Sequence, residues 1–117
     1  MPLATAADAP VFERGGFVFR SLAVPSRGSA EIAMWTVDVP EGADSEPHQI
    51  DKEEVFYVLT GNIRIQGVDA GPGDAVICSA FTDITLVGGP ARLLVTTSVG
   101  ATGILADGQK IVGPWSL

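Results

Sequence analysis

The only histidine of the chain, His48, lies close in sequence to three acidic residues, Asp51, Glu53 and Glu54. A histidine changes its charge near neutral pH, and a neighbouring carboxylate can orient the imidazole or exchange protons with it. The same two residue types are also ligands of divalent transition metals. The sequence therefore predicts that a chemical site, if the protein has one, lies in this segment.

The segments around these residues have the pattern of short β-strands. An apolar run, residues 55–59, follows the acids, and Thr60-Gly61-Asn62 predicts a turn before a second run, residues 63–65. Further runs rich in β-branched and aromatic residues cover residues 17–24, 30–39, 75–78, 84–87, 91–99 and 104–106. Glycine and proline turns separate these runs, and none shows a helical period. We expect an all-β fold, an antiparallel sandwich or barrel.

Length and charge narrow the class of protein. At 117 residues the chain is long enough for one domain, which we expect over residues 11–117 after a flexible lead-in over residues 1–10. Seven basic against fourteen acidic residues give a formal net charge of -7. Nucleic acids and anionic membrane surfaces are bound through cationic side chains, so neither is an expected partner.

The location is predicted from two further observations. No apolar run approaches the ~20 residues needed to cross a bilayer, and the N-terminus lacks a basic start followed by an apolar stretch. The lone cysteine, Cys78, lies in an apolar run and is expected to be a buried core residue. A cytoplasmic protein fits both observations.

The spacing around the histidine resembles the first sequence signature of the cupin superfamily. Five residues separate Gly42 from His48, one separates His48 from Ile50, three separate Ile50 from Glu54, and six separate Glu54 from Gly61. The signature has glycine, histidine, histidine, glutamate and glycine at these positions. Only Ile50 departs from it, in place of the second histidine. The resemblance implies a single antiparallel cupin β-barrel, a double-stranded β-helix of the jelly-roll type.

The second cupin signature is weakly represented. Its opening turn is present as Gly73-Asp74, but Ile84 stands where the signature has its histidine. In the family, three histidines and a glutamate bind a divalent metal ion. His48 and Glu54 are the two ligand positions that this chain retains, and Glu46 and Asp83 are candidates to replace the others.

Two ligands rarely hold a transition metal tightly. We therefore expect no bound cofactor; a divalent iron, manganese, zinc or nickel ion, if bound, would be held by His48 and Glu54. Without a metal, these two residues are expected to contact each other across neighbouring strands. That contact would be either a structural ion pair or an acid/base pair.

The resemblance also predicts a partly apolar ligand pocket suited to a small apolar or aromatic organic molecule. Its expected lining residues are Trp35, His48, Ile50, Glu54, Phe56, Phe81 and Ile84. We expect Trp115, in the apolar C-terminal tail, to pack on the same domain. Small cupins pair through edge strands, so a homodimer is expected as well.

Four functions agree with these residues. The sequence favours a metal-depleted cupin that binds a small molecule as a carrier, sensor or accessory protein. The alternative is a cofactor-free isomerase, cyclase, dehydratase or lyase in which His48 and Glu54 are catalytic. A metal-dependent dioxygenase is disfavoured by the two isoleucines at ligand positions, and a structural or regulatory module is the fourth hypothesis.

Overall fold

In the computed structural model, which describes residues 1–117, the chain consists of antiparallel strands and two 3-10 turns. The strands are β1 (Val11–Arg14), β2 (Phe17–Ser21), β3 (Ile32–Val39), β4 (Ala43–Asp44), β5 (His48–Ile50), β6 (Glu54–Ile65), β7 (Val68–Ala70), β8 (Ala75–Cys78), β9 (Leu86–Ser98), β10 (Gly103–Leu105) and β11 (Lys110–Ile111). The 3-10 turns are η1 (Pro25–Arg27) and η2 (Pro114–Ser116). The predicted all-β fold is confirmed. No helix has the length and apolar character needed to span a membrane.

The strands form two sheets. The larger sheet has the order β1-β2-β3-β9-β6-β7, with β4 paired to β9 and β8 paired to β6. The smaller sheet has the order β11-β10-β5. An isolated bridge between His48 and Ile84 links β5 to the segment that leads into β9. His48 and Ile50 therefore belong to the smaller sheet, which forms a layer separate from the larger sheet.

Alternation along the long strands builds the core. In β3, the side chains of Ala33, Trp35, Val37 and Val39 are buried, while the residues between them are more exposed. Successive side chains of a strand point to opposite faces, so one face of the sheet is apolar throughout. The inward residues of β6 and β9 continue this face and complete the hydrophobic core.

The turn predicted at Thr60-Gly61-Asn62 is wrong, because β6 runs through these residues without reversing. Gly61 has a φ of 81°, and the pairing of β6 with β9 shifts register on both sides of it. Such shifts are β-bulges, which bend a strand without ending it. The reversal comes later, at Gln66 and Gly67, which both have positive φ and connect β6 to β7.

The two strands predicted over residues 84–87 and 91–99 form one strand, β9. The sequence Gly88-Gly89-Pro90 between them reads as a turn but is accommodated inside the strand. Gly88 and Gly89 have φ values of 110° and 85°, a region that glycine enters without steric cost. Strand β9 therefore continues through a glycine and proline sequence of the kind that usually ends a strand.

Residues 1–10 contain no strand, and β1 begins at Val11. The backbone of this segment is nevertheless hydrogen-bonded to the rest of the domain at two points. The guanidinium of Arg27 donates to the backbone oxygen of Thr5 at 2.8 Å, and the backbone nitrogen of Ser21 donates to Pro10 at 3.1 Å. The flexibility of this segment stays a prediction.

Candidate ligand cavity between the two sheets

The two sheets enclose a cavity of about 350 Å³. Inward residues of β2, β3, β6 and β9 line it from the larger sheet, and residues of β5, β10 and β11 line it from the smaller sheet. Its lining residues are Arg14, Gly15, Phe17, Phe19, Trp35, Val37, Asp44, Ser45, Glu46, His48, Ile50, Glu54, Phe56, Leu86, Val95, Leu105, Ile111 and Trp115. A cavity of this size and composition is typical of small-molecule sites.

Aromatic side chains form much of the wall. Phe17 and Phe19 come from β2, Trp35 from β3, Phe56 from β6 and Trp115 from η2. The indole of Trp115 is stacked on Phe19, with ring centroids 3.7 Å apart and planes inclined by 7°. These rings offer flat apolar surfaces, against which another flat ring can pack.

The polar lining residues divide into a rim and an interior. Arg14, Asp44 and Glu46 are exposed and form the charged rim. Glu54 and His48 lie further in, among the aromatic and aliphatic side chains. A molecule inside the cavity therefore meets two titratable groups on an otherwise apolar surface.

Glu54 opens β6, where it is paired with Cys78 on one side and Thr97 on the other. The residue is 3% exposed, and its carboxyl group makes no hydrogen bond or ion pair with another protein group. No side-chain oxygen of the protein is both sealed and unpaired, so this carboxyl group opens into the cavity. Burial disfavours the charged form and raises the pKa of Glu54 to about 7.

His48 is the first residue of β5 and lines the cavity from the smaller sheet. Its backbone nitrogen donates to Ile84 at 3.2 Å, and its backbone oxygen accepts from Ile84 at 2.7 Å. Burial lowers the pKa of His48, outweighing the opposing effect of the Glu46 backbone oxygen, which lies 3.4 Å from Nδ1. The imidazole is therefore neutral at pH 7, and a proton on Nδ1 leaves Nε2 as an acceptor.

The expected contact between His48 and Glu54 is not formed, since no nitrogen–oxygen pair of the two lies within 4.0 Å. The prediction assumed that the strands carrying them are neighbours. Instead β5 pairs with β10, whereas β6 pairs with β8 and β9. The two residues thus reach the same cavity from different sheets, and a bound molecule could lie between them.

Five of the seven residues expected in the pocket line the cavity: Trp35, His48, Ile50, Glu54 and Phe56. Phe81 does not, because it lies in the loop after β8 with its side chain 60% exposed. Ile84 does not either, because it is 1% exposed and packs inside the hydrophobic core. The expectation for these two residues is corrected.

The donor set does not fit the metal of the cupin signature. No group of three or more histidine, cysteine, aspartate or glutamate side chains is arranged to hold an ion. The backbone oxygen of Glu46 lies 3.4 Å from Nδ1 of His48, but its carboxylate makes no ion pair with the imidazole. Asp83 is exposed and accepts a hydrogen bond from Gln49 at 3.0 Å. Neither candidate replacement therefore completes a metal site with His48 and Glu54.

Sequence reasoning missed several lining residues, above all Phe17, Phe19, Ile111 and Trp115. The alternation of Phe17 and Phe19 around Val18 was a usable signal for one inward face of β2. Ile111 and Trp115 gave no such signal, because their strand and turn reach the cavity only through long-range packing.

The sequence and the structure were compared with those of known proteins. No protein-family model matches the sequence, and no curated protein matches it either. Solved structures do match: the polyketide cyclase RemF from Streptomyces resistomycificus is 21% identical, with a TM-score of 0.75, covering 86% of this chain and 81% of that one.

Two further structures give the same result. An RmlC-like cupin from Shewanella frigidimarina is 20% identical, with a TM-score of 0.69, covering 82% of this chain and 88% of that one. The Streptomyces nucleoside dehydratase Pac13 is 19% identical, with a TM-score of 0.65, covering 81% of this chain and 79% of that one. Identities this low establish the fold and not the activity. The chain is a small domain with the cupin fold.

Proposed function

We propose that the protein is a cofactor-free acid/base enzyme that acts on a small aromatic molecule in the cavity between the sheets. The observation that carries the proposal is Glu54, a buried carboxyl group without a protein partner in a largely apolar cavity. Groups whose pKa is moved toward neutrality inside a cleft are frequent in active sites.

The proposed chemistry is a pair of proton transfers. Glu54, with a pKa of about 7, is partly protonated at neutral pH and donates its proton to a carbonyl or hydroxyl oxygen of the substrate. His48 is neutral and accepts a proton from a substrate carbon through Nε2. In an enolisation, the carbon–hydrogen electron pair forms the carbon–carbon double bond, while the carbonyl π pair takes up the proton from Glu54. In a dehydration, the same electron pair forms the double bond while the carbon–oxygen bond breaks, and the hydroxyl leaves as water with the proton from Glu54. In both cases His48 ends as a cation and Glu54 as an anion, so the net charge is unchanged.

The comparisons support this class of reaction by analogy. RemF is a polyketide cyclase and Pac13 a nucleoside dehydratase, and Pac13 has been studied with uridine. Ring closure and loss of water both require proton transfers of the kind proposed. The analogy concerns the type of reaction and not the identity of the substrate.

A second candidate function is binding without turnover, as a carrier or sensor. The apolar character of most of the wall favours it, since Phe17, Phe19, Trp35 and Phe56 would hold an aromatic ligand without any chemistry. The two functions use the same cavity. They differ only in whether the bound molecule exchanges protons with His48 and Glu54.

Exchange of solvent deuterium into 2-tetralone, a bicyclic ketone with acidic carbon–hydrogen bonds, separates the two functions. We expect the wild-type protein to accelerate the exchange, followed by NMR with a metal chelator present. Glu54→Gln and His48→Gln should each slow it by about 10²-fold or more, the usual contribution of a general acid or base. Glu53→Gln is the matched control, because Glu53 is an exposed neighbouring acid outside the cavity.

Each other outcome decides against the proposal. Binding of 2-tetralone without exchange would favour the carrier function. Exchange that the chelator abolishes and added metal restores would show that a metal takes part. Equal exchange in wild type, Glu54→Gln and His48→Gln would remove both residues from the mechanism.

We also propose a homodimer in the cytoplasm, with β8 at the contact. This strand is paired on one side only, to β6, and its Ile77 is 64% exposed. An unpaired edge with an exposed apolar residue is a suitable surface for a second copy. Light scattering after size exclusion should give twice the monomer mass for wild type and the monomer mass for Ile77→Lys; a monomeric wild type would refute the dimer.

A further inference from the structure

The C-terminal strap, residues 110–117, connects the two sheets across the cavity. It begins as β11, which pairs with β10 in the smaller sheet. It ends as η2, which packs against β1, β2 and β3 of the larger sheet. On the way it places Ile111 and Trp115 in the cavity wall.

The end of the strap is fixed by hydrogen bonds. The hydroxyl of Ser21, a residue only 2% exposed, donates to the backbone oxygen of Trp115 at 2.7 Å. The backbone nitrogen of Ser26 donates to Leu117 at 3.3 Å, and the hydroxyl of Ser116 donates to Gly113 at 2.7 Å. These bonds position the backbone from which the indole extends onto Phe19.

Position 113 requires glycine because of the nearby indole of Trp115, and not because of its own backbone conformation. Its φ of -66° is one that every residue adopts. A Cβ atom at this position, however, would lie 2.7 Å from Nε1 of Trp115 and closer still to the ring carbons. The indole is thus folded back over Gly113 and stacked on Phe19, with no room for a side chain at position 113.

We infer that Trp115 determines which ring sizes the cavity accepts. The inference rests on the proposed function, because it concerns the same cavity. The indole is stacked on Phe19 and lies over Gly113, and its backbone oxygen accepts a hydrogen bond from Ser21, so its position in the cavity wall is well defined. A ligand ring must fit between this wall and the rest of the lining, which limits its size and gives it an aromatic surface to pack on.

Binding of three aromatic alcohols of increasing size tests the inference. Dissociation constants for phenol, 2-naphthol and 1-pyrenol are measured by calorimetry with wild type, Trp115→Ala and Gly113→Ala. Wild type should prefer 2-naphthol to 1-pyrenol, and Trp115→Ala should shift this ratio toward 1-pyrenol by about tenfold, in the range that pocket size contributes to selectivity. Gly113→Ala, whose methyl group displaces the indole, should also change the ratio. Phe81→Ala is the control, because it removes an aromatic ring that does not line the cavity.

The result that would overturn the inference is a ratio of the two dissociation constants that neither variant changes. Failure of wild type to bind any of the three probes would overturn it equally. Gly113→Ala is the second variant, since it keeps the tryptophan while its methyl group displaces the indole. Circular dichroism verifies that both variants fold. A size shift without deuterium exchange would leave the role of Trp115 intact while the proposed acid/base function fails.

Discussion

Two carboxylates of the larger sheet, Asp38 and Glu54, have opposite surroundings. Asp38 lies on the outer face of β3 between two arginines. Arg92 donates to it from Nε at 2.6 Å and from Nη2 at 3.2 Å, and Arg20 donates from the other side. The hydrogen bonds from Arg92 are the main reason that the pKa of Asp38 lies below its usual value, although partial burial opposes them.

Glu54 has none of these partners. It is more deeply buried than Asp38, yet no arginine, lysine or backbone donor compensates for the lost solvation. Burying an ionisable group without a partner costs free energy, and the group responds by shifting its pKa. The two carboxylates thus differ in kind of environment: the one on the outer face is paired with arginines, and the one that lines the cavity has no charged partner.

The largest expected effect comes from removing the charge of Glu54. A pKa of about 7 in the folded state, against an ordinary 4.5, means that the folded protein binds the proton more tightly than the unfolded chain. Stability therefore falls as pH rises from 4.5 through 7, by about 3 kcal/mol in total. Glu54→Gln should be more stable than wild type by roughly this amount at pH 8.5 and nearly equal to it at pH 4.

Urea unfolding at the two pH values measures the difference, with Glu53→Gln as the matched exposed control. If wild type and Glu54→Gln unfold at the same urea concentration at pH 8.5, Glu54 is solvated or paired in solution. The contrast with Asp38 would then disappear. We expect Glu54→Gln to have a higher free energy of unfolding than wild type and to lose activity. This combination is typical of a residue that supports function at the expense of stability.

The fold was predictable because its signals are local and repeated. Alternation in residues such as Ala33, Trp35 and Val37 assigns the strands, and the spacing from Gly42 to Gly61 resembles one family. The individual turns were less predictable. Glycines with positive φ can reverse a strand or bend it, and only the pairing of β6 with β9 decides that Gly61 bends it.

Some of the residues that line the cavity were predictable, but their arrangement was not. His48, Ile50 and Glu54 line the cavity as their spacing suggested. Their separation onto two sheets was not predictable, because the short connection between β5 and β6 suggests a hairpin, while pairing partners are chosen by distant strands. The contribution of Trp115 depends on packing between distant parts of the chain, as the hydrogen bond from Ser21, 94 residues earlier, illustrates.

The smallest expected effect comes from Asp38→Asn on the outer face. Asp38 and both arginines are partly exposed, so solvent screens their attraction, and we expect a loss of roughly 1 kcal/mol. The pH dependence has the opposite sign to that of Glu54. Because the pKa of Asp38 is lowered from 3.8 in the folded state, its contribution is complete above pH 3.8 and is lost as pH falls further.

Urea unfolding of wild type and Asp38→Asn at low and high salt checks this prediction. The difference between the two proteins should shrink at high salt, because ions screen exposed pairs more than buried ones. The stabilisation of Glu54→Gln should persist at high salt, since desolvation of Glu54 and not attraction to a partner is its cause. If salt changed the effects of the two substitutions equally, the contrast would be wrong. Asp38 and Glu54 would then differ only in how exposed they are, and not in whether a charged partner stabilises them.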